Sequence, residues 1–178
     1  MGNADFVWPW QYQFPPFFTL QPNIDTRVKQ FEAWKSLILD YHKANKIYLL
    51  DVTEAQASPL FSNKAIQRQL NVESIILLLE DLEEQGNVEW LDKQLKQRCY
   101  VFWRTPEEWS KMIYKWAEDN GLVNAVCTLF EITAGDDAAN EEFFGLDHGV
   151  LKKALQVLEK EGRAELILDE ENEGVKFF

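Results

Sequence analysis

Residues 71–91 read NVESIILLLEDLEEQGNVEWL, and residues 147–167 read DHGVLKKALQVLEKEGRAELI. Setting Gly86 on Gly162 places Ile75 on Leu151, Leu79 on Leu155, Leu82 on Leu158 and Glu89 on Glu165. Each copy is an apolar helix opened by a capping Asn71 or Asp147. Each is closed by a glycine suited to left-handed φ and runs straight into a strand. A polar turn and a second strand follow, through Tyr100, Val101, Phe102 and Trp103 in one copy and Val175, Lys176, Phe177 and Phe178 in the other. A helix ended by glycine and followed at once by a two-stranded hairpin is how a winged helix closes. The expected fold is therefore α+β and helix-rich. It comprises two tandem winged-helix domains, residues 25–104 and 105–178, behind an extended proline- and aromatic-rich segment, residues 1–24.

Working outward from the first copy, Asp25 and Thr26 offer an N-cap, and Phe31, Trp34, Ile38 and Tyr41 follow at helical spacing to about Lys43. Ile47, Tyr48, Leu49 and Leu50 predict a short strand. Asn63 predicts the cap of a helix over residues 64–70, which would carry Arg68. The second half opens on a capping box, with Thr105 at the N-cap, Pro106 at N1 and Glu108 at N3. Trp109, Met112, Ile113 and Trp116 form one apolar stripe, and Asn120–Gly121 stops the helix. Residues 126–130 predict a strand and residues 141–146 a short helix.

The N-terminal segment is unusual. Trp8–Pro9–Trp10, Tyr12 and Phe14–Pro15–Pro16–Phe17–Phe18 put aromatics and prolines together with almost no charge. Proline fixes φ and disfavours helix, so an extended or polyproline-like segment is expected. Its aromatics must pack, either onto their own domain or into the groove of another protein.

Charge narrows the function classes. The chain's formal net charge is −12. Residues 1–104 hold 11 Lys/Arg against 13 Asp/Glu, and residues 105–178 hold 7 against 17. Such a field repels phosphate and anionic lipid and favours a basic partner for the second half. The would-be recognition helix of the first copy carries Glu73, Glu80, Asp81, Glu83 and Glu84 and no cation. In the second copy Lys152, Lys153 and Lys160 are offset by Asp147, Glu159 and Glu161. Phosphate neutralisation supplies most non-specific nucleic-acid affinity, so neither nucleic-acid binding nor direct membrane binding is expected.

No enzyme signature is present. His42 and His148 lie in different halves without partners at metal-ligand spacing, and no nucleophile elbow, phosphate loop or dinucleotide fingerprint occurs. Asp136, Asp137, Glu141 and Glu142 lack calcium-loop spacing and read as a solvated acidic loop. The expectation is no catalysis, no metal and no cofactor. Cys99 and Cys127 lie in apolar stretches of different halves and read as buried thiols, in keeping with a reducing compartment. The longest aliphatic run, residues 75–79, is far too short to span a bilayer. A soluble intracellular protein working by protein recognition is what remains.

Several runs carry a family resemblance. They are Trp8–Pro9–Trp10–Gln11–Tyr12, the run from Phe14 through Pro15–Pro16–Phe17–Phe18–Thr19–Leu20–Gln21–Pro22 to Asn23, Ser58–Pro59–Leu60–Phe61, Gly86–Asn87–Val88–Glu89–Trp90–Leu91, Arg104–Thr105–Pro106–Glu107–Glu108–Trp109 and the terminal Gly174–Val175–Lys176–Phe177–Phe178. Over nearly its whole length the chain resembles the family of vacuolar protein-sorting twenty-five subunits of the endosomal sorting complex ESCRT-II. The resemblance implies a non-enzymatic adaptor, present in two copies beside two larger winged-helix subunits, recruited from the cytoplasm to endosomal membranes only through its partners. It implies that Trp8, Pro9, Trp10, Phe14, Pro15, Pro16, Phe17 and Phe18 dock into the larger subunits and that Arg68 pairs with an acidic partner residue. It further implies that the second domain receives a basic helix of the nucleating ESCRT-III subunit; charge makes Asp136, Asp137, Glu141 and Glu142 one candidate face for it. The output would be sorting of ubiquitinated membrane proteins into multivesicular bodies. The alternative is a winged-helix scaffold subunit of another cytosolic or nuclear complex.

The purified chain is expected to leave duplex DNA unshifted at physiological salt, because both candidate recognition helices lack a cationic surplus. A salt-sensitive shift at micromolar protein in an electrophoretic assay would overturn that expectation.

Overall fold

The computed structural model describes residues 6–169 and 171–178. The first five residues of the N-terminal segment, and Glu170 in the turn of the last hairpin, lie outside the described residues. Two compact units divide between Trp103 and Arg104.

In the first unit, α1 (Ile24–Asn45) starts where the Asn23 side chain accepts the Thr26 N–H at 3.1 Å. Then come β1 (Leu49–Asp51), α2 (Val52–Gln56), the minimal hairpin β2 (Ser62–Asn63) and β3 (Arg68–Gln69), α3 (Val72–Glu84), β4 (Val88–Trp90) and β5 (Arg98–Val101). The strands form an antiparallel sheet in the order β1-β5-β4. The second unit repeats the plan with α4 (Pro106–Asp119), β6 (Val126–Thr128), α5 (Leu129–Ala134), α6 (His148–Lys160), β7 (Ala164–Leu168) and β8 (Glu173–Phe177). Its sheet order is β6-β8-β7. Helix, strand, two further helices and a closing hairpin, with the last strand central, recur in both units. That arrangement is consistent with winged-helix domains.

The repeated stretch owes its shape to the same local chemistry twice. Asn71 and Asp147 side chains accept the N–H of Ser74 and Val150, at 2.8 and 3.2 Å. Gly86 and Gly162 take φ of 85° and 74°, where a Cβ would be strained. The following N–H then bonds back to Leu82 O at 2.9 Å in one copy and to Leu158 O at 2.8 Å in the other. Both chains thereby turn directly into a strand. The apolar faces of α3 and α6 fill separate cores, around Trp34, Ile38, Phe61, Ile75 and Leu79 in the first unit and Trp109, Ile113, Phe143, Leu151 and Phe177 in the second.

Four expectations are corrected. Residues 64–70 are not a helix: the Asn63 carboxamide accepts the Ala65 N–H at 3.1 Å in a tight turn, and Gln67 sits at φ 53°. Arg68 is therefore on a strand. Residues 126–130 are a three-residue strand running straight into α5, because Thr128 and Glu131 form a reciprocal capping box. Residues 141–146 are a series of turns. The N-terminal segment is not extended but forms two 3₁₀ turns, Trp10–Gln13 and Pro15–Phe18.

Both cysteines are buried thiols, and burial pushes each up to about 12, with Glu83 adding for Cys99 and Glu131 for Cys127. His42, 3% exposed in the first core, places Nδ1 2.8 Å from Ile38 O. Burial lowers its pKa to about 4, partly opposed by that backbone contact. The ring is thus neutral near pH 7, and the proton it holds is the one donated to Ile38. Unfolding restores an ordinary imidazole near 6.5, so between pH 6.5 and 4 the unfolded chain binds more protons than the folded one. Stability present above pH 6.5 is lost as pH falls, by about 3 kcal/mol near pH 4. His42→Gln should be the less stable protein at pH 7 in urea titrations, and its deficit should narrow steadily toward pH 4. A deficit constant with pH would contradict the assignment.

Candidate functional site

The N-terminal segment is fastened to its own unit by directional bonds as well as by packing. The Phe17 carbonyl accepts Trp34 Nε1–H at 2.8 Å and Gln30 Nε2–H at 3.0 Å. Gln30 Nε2 also reaches Thr19 O at 2.9 Å, while its Oε1 accepts the Gln21 N–H at 3.0 Å. The Phe17 ring lies parallel to Trp34, centroids 4.2 Å apart, and Phe18 meets the same indole edge-on at 5.4 Å. Tyr12 donates its hydroxyl to Pro59 O, and its own carbonyl accepts Asn63 Nδ2–H at 2.7 Å. Burial, with Tyr41 nearby, raises the Tyr12 hydroxyl to about 12, so it remains a donor at any physiological pH. Trp8 is half-buried and stacks on Tyr12 at 3.9 Å.

This fastening divides the aromatics into two sets. Tyr12, Phe17 and Phe18 are core residues. Phe17 and Phe18, expected as partner anchors, pack their side chains into their own unit. Trp10 and Phe14 face outward, 70% and 48% exposed, with ring centroids 5.7 Å apart. Pro15 and Pro16 are exposed beside them, and Pro9 is half-buried. Trp10, Phe14, Pro16, Lys29 and Ala33 line an open, largely apolar groove of about 470 Å³ between the segment and α1. Strand β3, which carries the exposed Arg68, lies against the Pro15–Phe18 turn. Among the described residues Arg68 Nη1 bonds only its neighbour's carbonyl, Gln67 O, at 3.2 Å. The structure thus brings Trp10, Phe14, Pro16 and the Arg68 strand to one region of the first unit.

In the second unit Asp136 and Asp137 lie in the 3₁₀ turn Asp136–Ala138, exposed, and Glu141 is exposed after it. The turn is anchored by Trp116 Nε1–H donating to Asp137 O at 3.1 Å and by the buried Ala138 and Phe143. Glu142 is different. Its Oε1 lies 2.7 Å from Arg104 Nε, and that contact chiefly raises the Arg104 pKa. Glu142 is therefore a partly neutralised member of the loop. Sequence reasoning missed the exposure of aromatics in this unit, among them Phe130 at 70% and Phe144 at 38%. Both sit in runs read as strand or helix, where an apolar residue passes for core. Among the described residues no group of His, Cys, Asp or Glu is arranged to hold a metal, and no helix is long and apolar enough to cross a membrane.

A family model described as ESCRT-II complex subunit matches residues 11–147. Curated relatives called vacuolar protein-sorting-associated protein 25 align almost end to end. The one from Danio rerio is 56% identical over 97% of this chain and 99% of its own length, that from Homo sapiens 54% over 97% and 98%, and that from Drosophila melanogaster 43% over 98% and 99%. Among solved structures, the crystal structure of subunit VPS25 of the endosomal trafficking complex ESCRT-II superposes with a TM-score of 0.82 at 29% identity, covering 96% of this chain and 98% of that one. The crystal structure of the endosomal complex ESCRT-II (VPS22/VPS25/VPS36) does so with a TM-score of 0.80 over 95% and 98%. Two small units that repeat one plan, with an apolar groove built from the chain's own first residues, mark a subunit of a larger assembly. The chain belongs to the family of ESCRT-II complex subunits. That membership replaces the alternative of a scaffold from another complex.

The two sets of aromatics should separate cleanly by mutation. Phe17→Ala should destabilise the first unit by about 3–5 kcal/mol, as for other buried aromatics. Trp10→Ser should change unfolding free energy by no more than about 0.5 kcal/mol. Denaturant titration of both variants checks this, and equal losses would contradict the assignment of Trp10 to the surface.

Proposed function

We propose that this chain is a non-enzymatic adaptor of two tandem winged-helix domains that joins the larger ESCRT-II subunits to ESCRT-III. In this reading residues 25–104 and 105–178 are the domains, and the partners of the first are counterparts of VPS22 and VPS36, named with VPS25 in the related complex. Two copies act per complex, at endosomal membranes reached from the cytoplasm through partners, in the sorting of ubiquitinated membrane proteins. The observation that carries the reading is the pair Trp10 and Phe14, held side by side and outward by a segment whose other aromatics are locked inside. Preorganised aromatic anchors are what a protein interface uses for most of its affinity. Trp8, Pro9, Pro15 and Pro16 shape that ridge, and Arg68 supplies a cation for an acidic partner residue.

The second unit supports the other half of the reading. Its excess acid includes the exposed Asp136, Asp137 and Glu141, which suit a basic helix, and complementary charge acts mainly on the association rate. Phe130 and Phe144 add apolar contact area on the same unit.

Replacing Trp10 and Phe14 with Ser, together with Arg68→Asp, should lower affinity for the larger subunits by about a hundredfold or more while leaving the circular dichroism spectrum intact. Separately, Lys at 136, 137 and 141 should slow association with a basic ESCRT-III helix and remove its salt dependence, without affecting assembly with the larger subunits. Unchanged co-purification of the first variant would sink the docking role of the ridge. Unchanged association by the second would move the ESCRT-III contact elsewhere on the unit.

A further inference from the structure

His42 has a second nitrogen that the fold does not use. Nδ1 lies 2.8 Å from Ile38 O and so carries the ring proton, which leaves Nε2 as a lone-pair acceptor. Nε2 makes no hydrogen bond among the described residues. It is not sealed off either, since Trp90 Nε1 is the one fully occluded side-chain polar atom without a partner among them. His42 lines a cavity of about 180 Å³ together with Ile47, Leu49 and Leu60. Ile47 and Leu49 are 40% and 46% exposed at its mouth. Asp51 and Glu54 stand at the rim. Asp51 uses Oδ1 to cap α2 through the Glu54 N–H at 3.1 Å, and its second oxygen makes no hydrogen bond among the described residues.

The mouth of this cavity is also a sheet edge. β1 is an outer strand, paired on one side only with β5. Tyr48 O accepts the Val101 N–H at 2.9 Å, and the Val52 N–H donates to Gln97 O at 2.8 Å. By the alternation of an antiparallel ladder, Leu49 between them turns its N–H and C=O outward, where neither has a partner among the described residues. An open strand edge and a largely apolar cavity lined also by His42, Asp51 and Glu54 occur together.

We propose that this edge binds an extended, basic peptide segment of a partner protein, laid alongside β1 with a tryptophan in the cavity whose indole N–H donates to His42 Nε2. Each feature selects part of that occupant. Leu49's outward amide and carbonyl call for backbone in strand conformation. The cavity calls for one large apolar side chain, and the lone pair calls for a donor on it. An indole carries one N–H and no competing acceptor on an apolar body. Asp51 and Glu54 call for Lys or Arg at the flanking positions. The site lies apart from the Trp10–Phe14 ridge and shares none of its lining residues, so it does not depend on the function proposed above.

The test is NMR of the full chain, observing the Ile47 and Leu49 methyls, the Leu49 amide and the His42 imidazole nitrogens. Indole should shift the methyls and Nε2 saturably, and 1-methylindole, which lacks the donor, should bind about fivefold more weakly or less. The blocked peptide Lys-Val-Trp-Val-Lys should also move the Leu49 amide. It should bind more tightly than Glu-Val-Trp-Val-Glu, with a preference that shrinks as salt rises. Leu49→Lys, a change at an exposed position, should abolish the preference. Equal binding of indole and 1-methylindole overturns the proposal. So does indole binding with neither peptide reaching the Leu49 amide, which would make this a small-molecule cavity. A concentration-dependent dimer that protects β1 overturns it too, because a second copy would then be the occupant.

Discussion

The first unit depends on a single peptide carbonyl. Phe17 O accepts both the Trp34 indole N–H and a Gln30 amide N–H, while the Phe17 ring lies flat against that same indole. The buried Trp34 indole N–H has no other acceptor among the described residues, and an orphaned buried donor costs about 1–3 kcal/mol. The chain between Phe14 and Thr19 is therefore held in one place by both backbone and ring. Its prolines assist. Pro15 and Pro16 open the 3₁₀ turn, where the missing N–H is no loss and the fixed φ is already correct. A stretch that composition would leave extended becomes a wall of the unit, and what it cannot bury it displays.

That constraint also explains which parts were legible beforehand. α3, α4 and α6 are long enough to show an apolar period, and each has a side-chain cap at the position its sequence advertises: Asn71, Thr105 and Asp147. α2 and α5 were not foreseen, although Asp51 with Glu54 and Thr128 with Glu131 carry cap signals of the same kind. At five and six residues they are shorter than two turns, and the apolar residues before and within them look like continuing strand. Asn63 misled for a related reason. An Asn side chain that accepts an N–H two residues on makes a tight turn, and one that accepts from the third opens a helix, so the residue alone does not distinguish them.

The site was legible in composition and not in orientation. Six aromatic residues from Trp8 to Phe18 mark the segment as something that must pack, yet nothing in their order says that Tyr12, Phe17 and Phe18 turn inward and Trp10 and Phe14 outward. Those directions are set by residues far along the chain: Trp34 and Gln30 on α1, Pro59 and Asn63 beside the short hairpin. The acidic loop has the same limitation. Asp136, Asp137, Glu141 and Glu142 look alike in sequence, but only Glu142 meets Arg104, at a separation no local pattern records.

Buried polar groups make this outcome specific. Burial alone is non-directional, and the aromatics of the segment could trade places at little loss of area. Gln30, Asn63 and Trp34 remove that freedom: Asn63 and Trp34 each aim a donor at one carbonyl of the segment, and Gln30 gathers those of Phe17 and Thr19. Lys35 does the same between helices: 6% exposed on α1, it places Nζ 2.9 Å from Asp81 on α3 and 2.8 Å from Glu32 on its own helix. Both carboxylates keep much of their surface in water, so these pairs add little net stability, but their register is narrow. α1 is thereby fixed against α3 while its other face fixes the segment, so the orientation of Trp10 and Phe14 follows from contacts made entirely within the first unit. A surface built this way is ordered by the unit itself.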